Sequence, residues 1–337
     1  EPGHDVILTI DTKLQSVAME SLERNIKDIR TRGGNKNKGD ANAGSVVAID
    51  VHTGEVLVLA NYPSYNSAVY LANSSDKEAQ RTLIEINNDI NKPLFNRAIM
   101  GTYAPGSVFK PLTAIAALET GAITPTNNRR YDSGRITIGN RILRCLEFSN
   151  GHGWLDLKKA LETSCNIYFY EIGYETGIDN LEHWAKLFGL GRRSGIDLPG
   201  ENAGYMSSKE LKKKLRNDIW RPADTAQVAI GQFDNAFTPL QLANYMSALA
   251  NEGKLYTPHI IKKVVKYDGT VVHETEPTYE EIPVSPETIS AVKQGMVAVT
   301  QSIDGTAQEA FIGFPYEVAG KTGTAQTGRE ATHSSNA

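Results

Sequence analysis

The sequence predicts a mixed α/β (α+β) fold in which a sheet is interrupted by a mostly helical lobe. Three observations carry this. Strand-like runs lie near both ends of the chain, a long central stretch has helical apolar spacing, and no internal repeat divides the 337 residues. With 40% hydrophobic and 22% charged residues, the chain has the composition of a globular protein with a real core. A net charge of −4 gives no electrostatic case for nucleic acid. The basic runs "KELKKKLR" (209–216) and "GGNKNKGD" (33–40) are short and read as solvated face or loop. No run of about twenty apolar residues offers a membrane span. The chain starts at Glu1 without a methionine or signal peptide, so it reads as a piece of something longer.

Taken in order, residues 5–26 begin with alternating apolar positions and turn helical, with Asp11 or Thr12 as N-cap. Residues 31–44 form a Gly/Asn/Lys loop. Residues 44–62 are the clearest hairpin, two β-branched runs around a turn at His52-Thr53-Gly54. Residues 63–100 are polar and irregular, with one helical stretch at "DKEAQRTLIEI". From 107 to 120 the spacing is helical and Gly121 is a natural stop. Short strands follow around Gly134 and Gly139, and 156–177 is helical with glycine breaks. Further helices are expected at 179–188, 238–251 and 285–300, the second with Pro239 in its first turn. Residues 259–275 read as a second hairpin turning at Asp268-Gly269, and 316–328 as a strand whose small residues admit another chain.

Three short motifs carry chemistry. Serine is a weak nucleophile until a base takes its proton. At the start of a helix, Ser107 and Lys110 share a face, so Lys110 could reach the Ser107 hydroxyl if burial keeps its amine neutral. The spacing is weak alone, since Ser74-Ser75-Asp76-Lys77 matches it in polar loop sequence. Ser164-Cys165-Asn166 adds a second hydroxyl and an amide. Lys321-Thr322-Gly323-Thr324 adds a cation and two hydroxyls along a strand, with a glycine where something must come close. Together these groups can hold a carboxylate, pass a proton and offer a backbone N–H to an oxyanion.

In this order, Ser107-x-x-Lys110, Ser164-x-Asn166 and Lys321-Thr322-Gly323 resemble the three motifs of penicillin-binding proteins and serine β-lactamases. "LTIDTKLQ", "VVAIDVHTGEVLVLANYPSYN", "GHGWLDLKKALETSCNIYFYEIG" and "TPLQLANYMSALANEGKLYTPHI" are similar to the class B penicillin-binding proteins, the monofunctional cell-wall transpeptidases. The resemblance implies an antiparallel sheet flanked by helices plus a mostly helical subdomain, with the active site at their junction. It implies that residues 45–337 are the transpeptidase domain and 1–44 its lead-in. In that family the chain continues past the Lys-Thr-Gly strand, and an anchor and pedestal domain precede it, so truncation is expected here. It further implies that Ser107 is acylated by the penultimate D-Ala of a peptidoglycan stem peptide, with Lys110 as base. Ser164 and Asn166 would relay the proton and bind the substrate amide, while Lys321, Thr322 and Thr324, with the close approach at Gly323, would hold the terminal carboxylate. Backbone N–H groups of Ser107 and Thr324 would form the oxyanion hole. β-Lactams would acylate the same serine. The implied setting is the outer face of a bacterial membrane, beside a membrane-embedded glycosyltransferase and other cell-wall synthesis proteins. A D,D-carboxypeptidase, a β-lactamase or a β-lactam-sensing receptor domain would share the motifs. Phe233-Asp234 after "AIGQ" departs from the glycine common there, and nothing is expected of that loop.

Cys165 fills the middle of the Ser-x-Asn motif, so it lies beside the catalytic cleft. Cys145 precedes it, with His152 between glycines 151 and 153. Three readings stand open: a Cys145–Cys165 disulfide, two independent thiols, or a structural Zn²⁺ held by Asp132, Cys145, His152 and Cys165.

Overall fold

The computed structural model describes residues 3–31, 39, 41–73, 75–146, 149–327 and 332–336. The first strand, Asp5–Leu8, pairs antiparallel with Ile261–Val265, which pairs in turn with Val271–Glu274 across the expected turn at Asp268-Gly269. Asp11 is the cap of the first helix, Thr12–Thr31: its Oδ1 accepts the N–H groups of Lys13 and Leu14. That helix packs on strand Val56–Tyr62, the second arm of the predicted hairpin, whose first arm is Gly44–Ile49. Alternate residues Val56, Val58 and Ala60 are buried, which fixes which face of the hairpin meets the core.

The lobe is built around one helix. Lys110–Glu119 buries every residue from Lys110 to Ala117. A helix apolar on all sides belongs in the middle of a core, and helices Asn166–Thr176, Ile178–Leu187 and Pro286–Gln301 pack against it. The close crossings are made by small residues. A Cβ on Gly173 would stand 2.1 Å from Ala229 Cβ, and one on Gly295 would stand 2.4 Å from Leu161. Thr113 Oγ1 also donates to the Ala229 carbonyl at 2.7 Å. A smaller cluster of Val56, Ala98, Ile99, Ile196 and Leu240 joins the hairpin to the lobe.

The expected helices near 179–188, 238–251 and 285–300 appear as Ile178–Leu187, Pro239–Ala250 and Pro286–Gln301. Two readings need correction, a third is sharpened, and one helix was unforeseen. The stretch 156–177 breaks at Thr163–Cys165 and not at a glycine, because Ser164 takes a left-handed backbone (φ 55°) between helices Leu157–Glu162 and Asn166–Thr176. "KELKKKLR" is a helix, Lys209–Arg216, capped by Ser208. Most of it faces solvent, but Lys212 is buried and pairs with Asp224 at 2.6 Å. Helix Pro222–Ala229 was not expected, although Pro222 at its first position and Asp224 bonding back to Arg221 N mark its start. The C-terminal strand is shorter than 316–328: it runs Gly323–Thr327 and pairs with Thr332–Asn336. Ser74 of the second Ser-x-x-Lys match, and residues 33–38 and 40 of the Gly/Lys loop, lie outside the described residues; Lys77 is solvent-exposed at the start of helix Lys77–Asn88. Among the described residues, no helix is long and apolar enough to cross a membrane.

Candidate active site

Pro105 and Gly106 turn the chain into a short 3-10 turn, Gly106–Phe109, whose second residue is Ser107. The turn runs directly into the buried helix at Lys110, so the nucleophile candidate sits half-buried at the end of the most buried element of the lobe. Tyr245 Oη holds this entry by donating to the Val108 carbonyl at 3.0 Å.

The Lys110 amine lies at the bottom of the site, fully buried. Its three protons have three acceptors: Ser164 O at 2.6 Å, Asn166 Oδ1 at 2.7 Å and Ser164 Oγ at 3.2 Å. Lys110 and Ser107 share the helix entry as the spacing predicted. However, no hydrogen bond joins the amine to Ser107 Oγ among the described residues, because the second motif takes all three donors. Burial pushes Lys110 down to about 8, against the opposing pull of Cys165 and Cys145.

Ser164 Oγ is the hub. Lys321 Nζ reaches it at 2.8 Å and also donates to the Thr322 carbonyl at 3.2 Å. Burial, and then the charge of Lys110, push the Lys321 amine well below the ordinary lysine range. One hydroxyl thus stands between two amines, and the charge of Lys110 disfavours that of Lys321. The left-handed backbone of Ser164 is unusual for a residue other than glycine, and such strain concentrates at working sites.

The strand that begins at Gly323 and carries Thr324, with Thr322 just before it, lies against the start of the Ser107 turn. A Cβ on Gly323 would stand 2.7 Å from Val108 Cγ2, and one on Gly106 would stand 2.2 Å from the Thr324 carbonyl oxygen. Gly106 is therefore required by backbone approach, and at Gly323, where the sequence suggested a close approach, the crowding comes from the Val108 side chain and the Pro105 carbonyl. The Thr322 hydroxyl meets that of Thr306 at 2.7 Å, a contact that no sequence pattern announced.

Asp132, Cys145, His152 and Cys165 come together behind Ser164, with their donor atoms all within 4.8 Å of one another. The two sulfurs are 3.9 Å apart and unbonded, so the cysteines are free thiols in this structure. Cys145 Sγ lies 3.6 Å from His152 Nδ1, and Cys165 Sγ lies 3.2 Å from Asp132 Oδ2. Zinc bonds of about 2.0–2.3 Å in a tetrahedron separate donors by roughly 3.3–3.8 Å, close to these spacings. The exception is His152 Nδ1 to Asp132 Oδ2 at 2.6 Å, a direct hydrogen bond that a cation would open. A Cβ on Gly151 would stand 2.3 Å from the Asp132 carbonyl oxygen, so glycine is what lets the histidine loop press against Asp132. Hydrogen bonding to Cys165, then to His152, pulls Cys145 down to about 4 against burial, while burial and Cys145 push Cys165 up. The bond to Cys145, and then that to Asp132, raise His152 to about 9 against burial. For Asp132, hydrogen bonds from His152, Gly134 N and Cys165 outweigh burial and lower it. This donor set of two sulfurs, an imidazole and a carboxylate suits zinc. Cys165 also caps helix Asn166–Thr176, accepting the Tyr168 N–H at 3.4 Å, so whatever holds Cys165 holds Ser164 and Asn166.

The chain was compared with known proteins. It is 36% identical over 329 residues to the peptidoglycan D,D-transpeptidase MrdA of Haemophilus influenzae, covering 96% of this chain and 46% of that one. It spans about half the length of the curated relatives it matches. A crystal structure of Pseudomonas aeruginosa PBP2 in complex with WCK 5153 superposes with a TM-score of 0.82 at 34% identity, covering 97% of this chain and 69% of that one. The Helicobacter pylori penicillin-binding protein PBP2 in its complex with MreC superposes with a TM-score of 0.78 at 31% identity, covering 95% and 54%. These matches agree with the α/β architecture of antiparallel strands and helices described above. The family model "Penicillin binding protein transpeptidase domain" matches residues 44–337, and the chain belongs to that family.

Proposed function

We propose that the chain carries the D,D-transpeptidase activity of peptidoglycan crosslinking. The observation that carries this reading is the convergence on Ser164 Oγ of Lys321 and of Lys110, which stands one turn after Ser107. In the proposed reaction Ser107 Oγ attacks the carbonyl carbon of the penultimate D-Ala of a stem peptide, and its proton passes to the neutral Lys110 amine. The N–H groups of Ser107 and Thr324 face the oxyanion, and the carboxylate of the terminal D-Ala is held by Lys321, Thr322 and Thr324. Asn166 binds the substrate amide. The C–N bond breaks as the departing D-Ala amine receives a proton through Ser164. The amine of a second stem peptide then attacks the Ser107 ester, forming the crosslink and returning the serine. A β-lactam enters the same first step and remains as the acyl-enzyme. With water as acceptor, the same residues would give a D,D-carboxypeptidase.

The four-donor cluster is proposed to hold a structural Zn²⁺, which would brace the Ser164–Asn166 segment. All four positions are filled by protein, leaving none for substrate. The domain is proposed as residues 45–337, with 1–44 leading in. By likeness to MrdA relatives and to the MreC-bound PBP2, the setting is the outer face of a bacterial membrane, with an anchor outside this chain. The partners there would be a membrane-embedded glycosyltransferase and other cell-wall synthesis proteins.

The test is intact-protein mass after incubation with a penicillin. A mass gain of one drug molecule in the native chain, lost in Ser107→Ala, supports the reading. A gain that persists in Ser107→Ala overturns the nucleophile, and rapid drug turnover without a lasting gain points to a β-lactamase.

A further inference from the structure

The loop after helix Pro222–Ala229 grips both backbones proposed for the oxyanion hole. Gly231 O accepts the Gly106 N–H at 3.0 Å, beside Ser107, and Gln232 Nε2 donates to the Thr324 carbonyl at 3.3 Å. The first grip is backbone on backbone, since a Cβ on Gly231 would stand 2.1 Å from Gly106 O.

The same loop is fastened from its far side. Phe233 holds a left-handed backbone at φ 71°, a conformation rare for a bulky aromatic residue. Its ring meets Trp220 edge-on with centroids 5.5 Å apart, and the Arg216 guanidinium and Lys212 amine lie 4.8 and 5.6 Å from the ring centre. Asp234 pairs with Arg216 through Oδ1, while its buried Oδ2 has no hydrogen-bond partner. A strained residue and an orphaned buried oxygen persist only where the surroundings over-determine the local geometry.

We propose that Gln232 is a positioning residue for the oxyanion hole, and that Phe233 and Asp234, locked to Trp220 and Arg216, set its reach. The inference rests on the acyl-transfer reading above. Gln232 acts on the Thr324 backbone and not on substrate. Its loss slows the acylation step while substrate still binds.

Stopped-flow acylation by a fluorescent penicillin, followed over a range of drug concentrations, separates the affinity of the first complex from the acylation rate constant. Gln232→Met keeps the side-chain length and removes the donor. It is expected to lower the rate constant about tenfold, with affinity within about twofold of native. Asp234→Ala is expected to lower the rate constant severalfold, and the swap Arg216→Asp with Asp234→Arg to recover much of that loss. Melting temperature is measured on every variant, and Gln232→Glu serves if Gln232→Met fails to fold. A native rate constant in the folded Gln232 variant, or a loss confined to affinity, overturns the proposal. Failure of the native protein to be acylated at Ser107 overturns instead the reading on which it rests.

Discussion

Replacing Gly106 with alanine tests the site geometry most directly. The added Cβ would stand 2.2 Å from the Thr324 carbonyl oxygen, whereas ordinary C···O contacts begin at about 3.3 Å. Strand and turn must therefore part by about 1 Å. Gly106 also has φ 54°, where a side chain costs about 1–2 kcal/mol. That cost lowers the melting temperature by only a few degrees in a chain of this size. The separation acts differently on chemistry, because it spreads the Ser107 and Thr324 N–H groups that are proposed to hold the oxyanion. A misplacement of about 1 Å can cost roughly 100-fold in rate, or about 2.7 kcal/mol. The expectation is a folded Gly106→Ala protein acylated by penicillin about 100 times more slowly, measured by stopped flow beside a thermal melt. A rate within about threefold of native would refute the claim that the contact between Gly106 and Thr324 sets the oxyanion geometry.

Four other outcomes follow. The proposed acylation uses Lys110 as a neutral base, and its proton affinity is lowered to about 8; the rate should rise roughly tenfold per pH unit below that value and level above it, and a flat profile between pH 6 and 8 argues against Lys110 as base. Ser164→Ala removes the hydroxyl shared by the two amines and should slow acylation about 100-fold or more, with the melting temperature within a few degrees of native. Elemental analysis of protein without a histidine tag should find about one zinc per chain, and a chelator should lower the melting temperature; no zinc together with no free thiols would favour the disulfide. Asp224→Ala removes the buried partner of Lys212 and leaves its amine to Asp218 at 3.1 Å and the Ile219 carbonyl at 2.6 Å; it should destabilise the fold by about 1–3 kcal/mol in urea unfolding, whereas Lys212→Met with Asp224→Leu should lose less than the single change.

The parts legible in sequence were those with local causes. The hairpin 44–62, the cap at Asp11, the start of the helix at Pro239 and the turn at Asp268-Gly269 follow from side chains within a few residues of each element. The three motifs were legible because each is a short string, and the donor set at Cys165 because two cysteines and a glycine-flanked histidine are rare together. What stayed hidden depended on distant partners. Lys110 turns to Ser164 because residues 54 and 56 positions away supply three acceptors. Lys212 is buried because Asp224 waits for it across a turn. The break at Ser164 has no glycine or proline to mark it; Cys165 caps the helix that follows. Gln232 could be seen only once Thr324 lay beside it.

The burial of helix Lys110–Glu119 sets where the chemistry of this protein has room to vary. Residues Lys110 to Ala117 are each buried, so a substitution that loosens the base also opens a cavity in the core, at a cost of several kcal/mol for a large side chain. Change in this helix therefore carries a folding penalty whatever it does to chemistry. Exposed side chains such as Tyr103, Phe314 and Tyr316 carry no such core penalty when exchanged.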